Sequence, residues 1–269
     1  MRKIFLFLIT FSIAGFAQKN KNHWQVAKFN GKVKTSHIVE YRPMLNDNVG
    51  SSYTEQFTTF NTMGNITEME LNLQGSKTRI VEQYNDKKLI VKSVSYNPEG
   101  EVVFLNELSY DDKGNKIEEK ALFPDGSLLQ KILWKYDNKG NEIEKKLCSA
   151  DNCFERIVSS YDSKGNVIKE LKYDEKHQLF ETITYNDKRN NRTEIVAVYP
   201  QGELIQKFTY KFDKRGNETE VVEYDASNII IDKKTLTYQY DKKKNWILKK
   251  EYLEDKIVAK FEQTLEYFK

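Results

Sequence analysis

The sequence predicts an all-β fold: a repetitive antiparallel β-hairpin meander forming an elongated, twisted and curved sheet, open or partly curled. Three observations predict it. A turn phrase recurs at intervals of 24–28 residues, as YDDKGN from Tyr110, YDNKGN from Tyr136 and YDSKGN from Tyr161. A second turn signal stands between successive copies, so turns come every dozen or so residues, the spacing of short strands. Between turns the hydrophobic period is two: Ile132, Trp134 and Tyr136 alternate with Lys131, Leu133 and Lys135, and Phe208, Tyr210 and Phe212 with Lys207, Thr209 and Lys211. A helix needs apolar residues at i, i+3 and i+4, which these segments lack.

Residues 1–17 read as a secretory signal peptide: a basic start (Arg2, Lys3), an apolar run, and a small-x-small site at Gly15-Phe16-Ala17. The run is shorter than the about 20 residues of a membrane anchor. No cysteine adjoins the cleavage point, and no later stretch is apolar enough to span a bilayer as a helix. The chain is therefore expected to be exported to the periplasm, cell surface or exterior. Cleavage removes Arg2 and Lys3, taking the formal charge from +3 to +1. Acids and bases are interspersed, which predicts neither nucleic acid nor an anionic membrane as partner. The 13% aromatic content argues for a folded chain.

Residues 18–50 are expected to form an N-terminal hairpin and connection, with strands in 23–42, a turn at Phe29–Lys32 and a flexible link over 43–52. The repeat domain spans 51–269. Its aromatic–Asp/Asn pairs begin at Phe60, Tyr84, Tyr110, Tyr136, Tyr161, Tyr185, Phe212 and Tyr240, and Asn stands five positions after the aromatic in seven of eight copies. The Asp or Asn is expected to cap the turn by bonding backbone N–H groups. The Gly closes a type I turn with a bulge in the left-handed conformation. The paired turn residues are Asp111 and Gly114, Asp137 and Gly140, Asp162 and Gly165, Asp213 and Gly216. Lys88, Arg189 and Lys244 replace Gly in three copies, where looser or altered turns are expected, because a left-handed side chain costs about 1 kcal/mol.

The intermediate turns are YNPEG from Tyr96, FPDG from Phe123 and YPQG from Tyr199, with degenerate versions elsewhere. In one repeat that slot holds LCSADNC instead. Cys148 and Cys153, the two cysteines of the chain, read as a disulfide stapling this hairpin in an oxidising compartment; a free or metal-bound pair is the alternative. So small a loop contributes about 2 kcal/mol. About sixteen strands follow in neighbour order.

The Tyr-Asp dipeptide, the Gly three residues beyond it and the following β pattern resemble the YD-repeat (Rhs-type) family over residues 51–269. The Gly-containing intermediate turns are similar to MORN-type repeats. The first resemblance implies long sheets of hairpins that coil into shells in large relatives; neither implies a reaction. This sequence carries Asn where many YD repeats carry Arg.

The repeat aspartates are accounted for by turn capping, and the Lys inside each D-x-K-G turn opposes a calcium site. No phosphate loop, nucleophile elbow or metal-binding helix is visible. No cofactor is expected, and the chain is not expected to be an enzyme. The aromatic rows read either as core or as a binding face, with Trp134, Tyr136, Tyr161, Tyr185, Phe208 and Tyr210 as candidates. The expected function is a non-enzymatic exported scaffold, monomeric, that binds a protein or glycan at the bacterial cell envelope. The alternatives are a glycan hydrolase with carboxylates assembled on the sheet, and an immunity or chaperone-like partner of a toxin.

Overall fold

A computed structural model describes residues 22–43, 51–150, 152–188 and 191–269. The expected signal peptide (residues 1–17) and residues 44–50 of the expected link lie outside the described residues. A helical turn, α1 (His23–Val26), precedes β1 (Val33–Pro43), β2 (Ser51–Phe60), β3 (Ile66–Leu73), β4 (Ser76–Tyr84), β5 (Ile90–Tyr96) and β6 (Val102–Tyr110). Next come β7 (Lys116–Leu122), β8 (Leu128–Tyr136), β9 (Glu142–Ser149), β10 (Asn152–Tyr161), β11 (Val167–Asp174) and β12 (Leu179–Lys188). The last six are β13 (Asn191–Val198), β14 (Leu204–Phe212), β15 (Glu218–Tyr224), β16 (Ile230–Tyr240), β17 (Trp246–Leu253) and β18 (Lys256–Tyr267).

Each strand pairs antiparallel with its sequence neighbours, and β1 pairs with both β2 and β18. The expected elongated, curved open sheet is therefore corrected to a closed 18-stranded barrel. Closure has a direct physical reason. An open sheet of this length leaves two edge strands with unpaired N–H and C=O groups, and only full closure removes both edges. Strand β1 supplies the closing pairings, from Val33↔Tyr267 to Tyr41↔Lys260. The expected hairpin over 23–42 is corrected with it: residues 23–26 are helical, and only 33–43 form a strand.

The wall is a single layer. Only 11 hydrophobic residues are buried among those described, so side chains on both faces remain partly wet. Along β18, Ala259, Phe261, Gln263, Leu265 and Tyr267 are enclosed, whereas Glu262, Thr264 and Glu266 are exposed. Side chains converge on the concave side of a closed wall, so the row ending in the repeat tyrosine faces inward. The outer row is charged on most strands and carries cross-strand pairs: Lys135–Glu144 at 3.0 Å, Arg156–Glu144 at 2.7 Å and Lys211–Glu220 at 2.7 Å. Eighteen strands at about 4.8 Å spacing, tilted about 40°, give a ring about 110 Å around and about 35 Å across.

The best-packed cluster lies at the seam where β1 meets β2 and β18. Val33, Phe60, Ile66 and Met69 are buried, with Trp24, Phe29, Leu265 and Tyr267 packed on them. Asn22 caps α1 by a reciprocal pair of bonds with Gln25. The Trp24 indole N–H then donates to the Val33 carbonyl at 2.8 Å. His23 Nδ1 accepts the Ile66 N–H at 3.2 Å, and burial lowers the His23 pKa, which keeps the ring neutral as that acceptor requires.

The expected disulfide is present. Cys148 and Cys153 stand opposite one another in β9 and β10, bonded, with Cα atoms 3.8 Å apart.

Candidate functional site

The described aromatic–Asp/Asn turns emerge at one rim, together with α1 and the start of β1. Their chemistry explains every letter of the repeated phrase. At Asp137, Oδ1 accepts the backbone N–H groups of Lys139 and Asn141, both at 2.8 Å. The Asn141 side-chain amide donates to Oδ2 at 2.8 Å. Gly140 takes φ 83° and donates its N–H to the Asp137 carbonyl at 3.0 Å. Asp111–Gly114, Asp162–Gly165 and Asp213–Gly216 repeat the arrangement. These donors lower the pKa of Asp137, with the Asn141 backbone N–H the largest cause. The recurring Asn, unexplained from sequence, is thus the partner of the capping Asp.

Two of the Gly-less turns keep the same form. Lys88 (φ 65°) and Lys244 (φ 69°) adopt the left-handed conformation and donate to Asn85 and Asp241 carbonyls at 2.8 and 3.0 Å. The expected loosening is corrected there: the surrounding hydrogen bonds hold a conformation the side chain disfavours. Arg189 lies outside the described residues.

The repeat tyrosines do a second job. At this rim β7 and β8 have no turn between them, because their turn is at the other end. The Tyr136 hydroxyl ties them by donating to the Lys116 carbonyl at 2.8 Å. Tyr110 reaches the Ile90 carbonyl at 2.7 Å and Tyr161 the Glu142 carbonyl at 2.5 Å. Tyr84 bonds the Ile66 carbonyl in the same way. Tyr185 donates to Glu170 Oε2 at 2.5 Å, and Tyr240 to Asp213 Oδ2 at 3.1 Å. Burial raises these phenols above their usual range, to about 12 at Tyr110 and Tyr161, so the hydroxyls remain donors.

The candidate aromatics therefore share the inner face but are spread around the wall, on β8 (Trp134, Tyr136), β10 (Tyr161), β12 (Tyr185) and β14 (Phe208, Tyr210). Trp134 is buried, 7% exposed, with Lys116 Nζ 4.2 Å above its ring; that ammonium also meets Glu119 at 2.8 Å. Phe208 and Tyr210 lie 6.4 Å apart, tilted by 34°. Trp134 and Tyr136 do come together, in a cleft of about 380 Å³ between the 111–115 and 137–141 turns, with Lys113, Asn138, Ile117 and Ile143 as further walls. Ile117 and Ile143 are 38% and 36% exposed. Sequence reasoning missed them, although an Ile three residues after the Gly recurs at 117, 143 and 168. A second cleft of about 400 Å³ lies between Lys28–Asn30 and the 213–217 and 241–245 turns.

Carboxylates also line the inner wall. Burial, reinforced by Glu119, raises Glu82 to about 7 against the opposing bond from Ser93. Among the described residues no cluster of three or more His, Cys, Asp or Glu is placed to hold a metal ion.

The class defined by this architecture is a closed, single-layer barrel of β-hairpin repeats. No protein-family model matches the sequence, and no curated protein matches it. Among solved structures, a porin-like protein from Bacteroides uniformis ATCC 8492 is similar with a TM-score of 0.50 at 10% identity, over 88% of this chain and 99% of that one. The Photorhabdus luminescens Tc holotoxin pore gives a TM-score of 0.38 at 14% identity, over 78% of this chain and 13% of that one. The TcdB2-TccC3-Cdc42 structure gives 0.34 at 15% identity, over 77% and 14%. The likeness to the porin-like protein is one of fold.

Proposed function

We propose that this protein is an exported, non-enzymatic β-repeat barrel of the YD type that binds a protein or glycan at the bacterial cell envelope. The observation that carries this reading is the rim cleft. It joins the Trp134 and Tyr136 rings, two exposed isoleucines and the Lys113 and Asn138 side chains on a rigid frame of hydrogen-bonded turns. Aromatic and aliphatic surface with a few polar groups at its edge suits a sugar face or a peptide. The disulfide fits an oxidising compartment.

The porin-like neighbour raises a second reading, a membrane pore. The outer wall speaks against it. A lipid-facing barrel presents an apolar band about 25 Å tall, and a Lys or Arg at its middle costs about 2–4 kcal/mol. Here Lys135, Glu144, Lys146 and Arg156 lie on the outer face of three consecutive strands. A wall so charged suits water on both sides.

The test is a pull-down of the mature chain (residues 18–269) from envelope extracts, paired with a glycan array. A double variant, Ile117→Ser with Ile143→Ser, alters the cleft without touching a tyrosine hydroxyl. A specific ligand lost by the variant supports the reading. No retained ligand, or one bound equally by the variant, refutes it.

A further inference from the structure

We infer that copies of this protein stack head to tail, the turn rim of one barrel seated on the opposite rim of the next. The argument starts from the two ends. The described turns of the tyrosine rim, with the 22–32 segment, carry twelve Lys or Arg and seven Asp. All seven are aspartates, and those at 111, 137, 162, 213 and 241 are engaged in capping their own turns. Lysines at 113, 139 and 164 stand exposed at the same position of three successive repeats.

The described turns of the other rim carry eight Asp or Glu, among them Glu99, Glu175 and Glu203, and a single Lys. That rim is also apolar. Phe123, Phe154, Phe180 and Tyr199 are 38–46% exposed, and the Ile229–Ile231 tip reaches 55–62%. So much large apolar side chain gathered at one end is the mark of a contact surface. The tyrosine rim offers a smaller apolar row to meet it, Ile117, Ile143 and Ile168, each at least 36% exposed.

Charge decides the partner and the direction. Two tyrosine rims facing one another would repel, and so would two acidic rims, which disfavours a two-fold dimer. The basic rim of one copy and the acidic rim of another are complementary, and both close on the same circle of eighteen strands. Contact along a ring about 110 Å around and about 10 Å thick covers about 1,100 Å² per partner, above the about 800 Å² of a standard interface. A head-to-tail contact does not close on itself in a pair, so it propagates. Each stack keeps one tyrosine rim, with its clefts, open at the end.

The experiment is sedimentation velocity of the mature chain over a concentration series, at about 50 mM and about 500 mM salt. The expected result is a ladder of species that grows with concentration at low salt and collapses toward the protomer at high salt. Reversing one rim (Lys113→Glu, Lys139→Glu, Lys164→Glu) or the other (Glu99→Lys, Glu175→Lys, Glu203→Lys) should weaken association at least tenfold. Mixing the two variants should restore only a pair, through the unaltered acidic rim of one and the unaltered tyrosine rim of the other. Circular dichroism confirms that each variant keeps the barrel. A protomer at every concentration, a dimer that never grows, or growth indifferent to both reversals overturns the inference.

Discussion

Replacing Tyr136 by Phe deletes one hydroxyl and nothing else, and the structure says what that hydroxyl does. It donates to the Lys116 carbonyl at 2.8 Å, joining β7 to β8 at the rim where no turn connects them. The ring stays packed, so the loss is the bond alone. A net hydrogen bond contributes about 1 kcal/mol, and a carbonyl left dry costs about 1–3 kcal/mol. The rim is half-exposed, so water recovers part of that, leaving about 1–2 kcal/mol. For a chain of this size that lowers Tm by about 2–8 °C. Tyr199→Phe is the control, because Tyr199 is 46% exposed at the opposite rim. Thermal unfolding followed by circular dichroism reads both. Combining Tyr110→Phe with Tyr161→Phe removes two ties four strands apart, and their effects should add. If Tyr136→Phe melts with Tyr199→Phe, the hydroxyls do not hold the rim together and the account of the repeated tyrosine is wrong.

Four other outcomes follow from the same structure. Cys148→Ser with Cys153→Ser opens the β9–β10 staple and should cost about 2 kcal/mol, seen as an earlier denaturant midpoint with an unchanged slope. Gly64→Ala should be far worse than Gly100→Ala: both glycines have φ 83°, but a Cβ at 64 would lie 2.5 Å from Trp24, whereas at 100 it meets nothing within 4 Å. Unfolding midpoints and Trp fluorescence separate the two. Lys244→Gly should stabilise the protein by about 1 kcal/mol, since it relieves a left-handed lysine in a turn whose bonds are already made. Glu82, held up to about 7 mainly by burial, favours the folded state when protonated. That contribution is fully present below pH 4.5 and is lost as pH rises through 7, a span worth up to about 3 kcal/mol. Glu82→Gln should therefore stabilise at pH 8 and change little at pH 4, as denaturant titrations at the two values would show.

What was legible in the sequence was local. Asp137, Gly140 and the alternating strand after Ile143 belong to one turn a few residues long, so their roles could be read from side-chain chemistry. The Cys148–Cys153 bridge was legible for the same reason, since five residues of separation admit few other geometries. Closure was not. It depends on Val33 meeting Tyr267 across more than two hundred residues, and nothing near either end of the sequence marks them as partners. Alternation placed Trp134 and Tyr136 on one face, but curvature alone decides that this face is the concave one. The clefts join neighbouring turns, so Lys113 and Ile143 could be brought together only by strand pairing. Left-handed Lys88 and Lys244 ran against propensity because the turn's hydrogen bonds outweigh a cost of about 1 kcal/mol.

The first repeat shows why closure succeeds. Its aromatic is Phe60, which has no hydroxyl to tie β2 to β1 as Tyr136 ties β8 to β7. That position is instead packed: Phe29 meets Phe60 edge-on at 5.9 Å, and Val33 is fully buried beneath them. On the other side of the seam Tyr267 completes the series, donating to Asp241 and receiving the Asn245 amide at 2.7 Å. Asn245 also exchanges two bonds with the backbone of Asn30, at 2.7 and 2.9 Å. A linear array of such repeats would end on one free tyrosine and one free carbonyl row. Here the 22–32 segment covers the seam, where Phe60 lacks the repeated tie as Phe212 does in β14, so the ring closes with apolar packing standing in for a hydrogen bond.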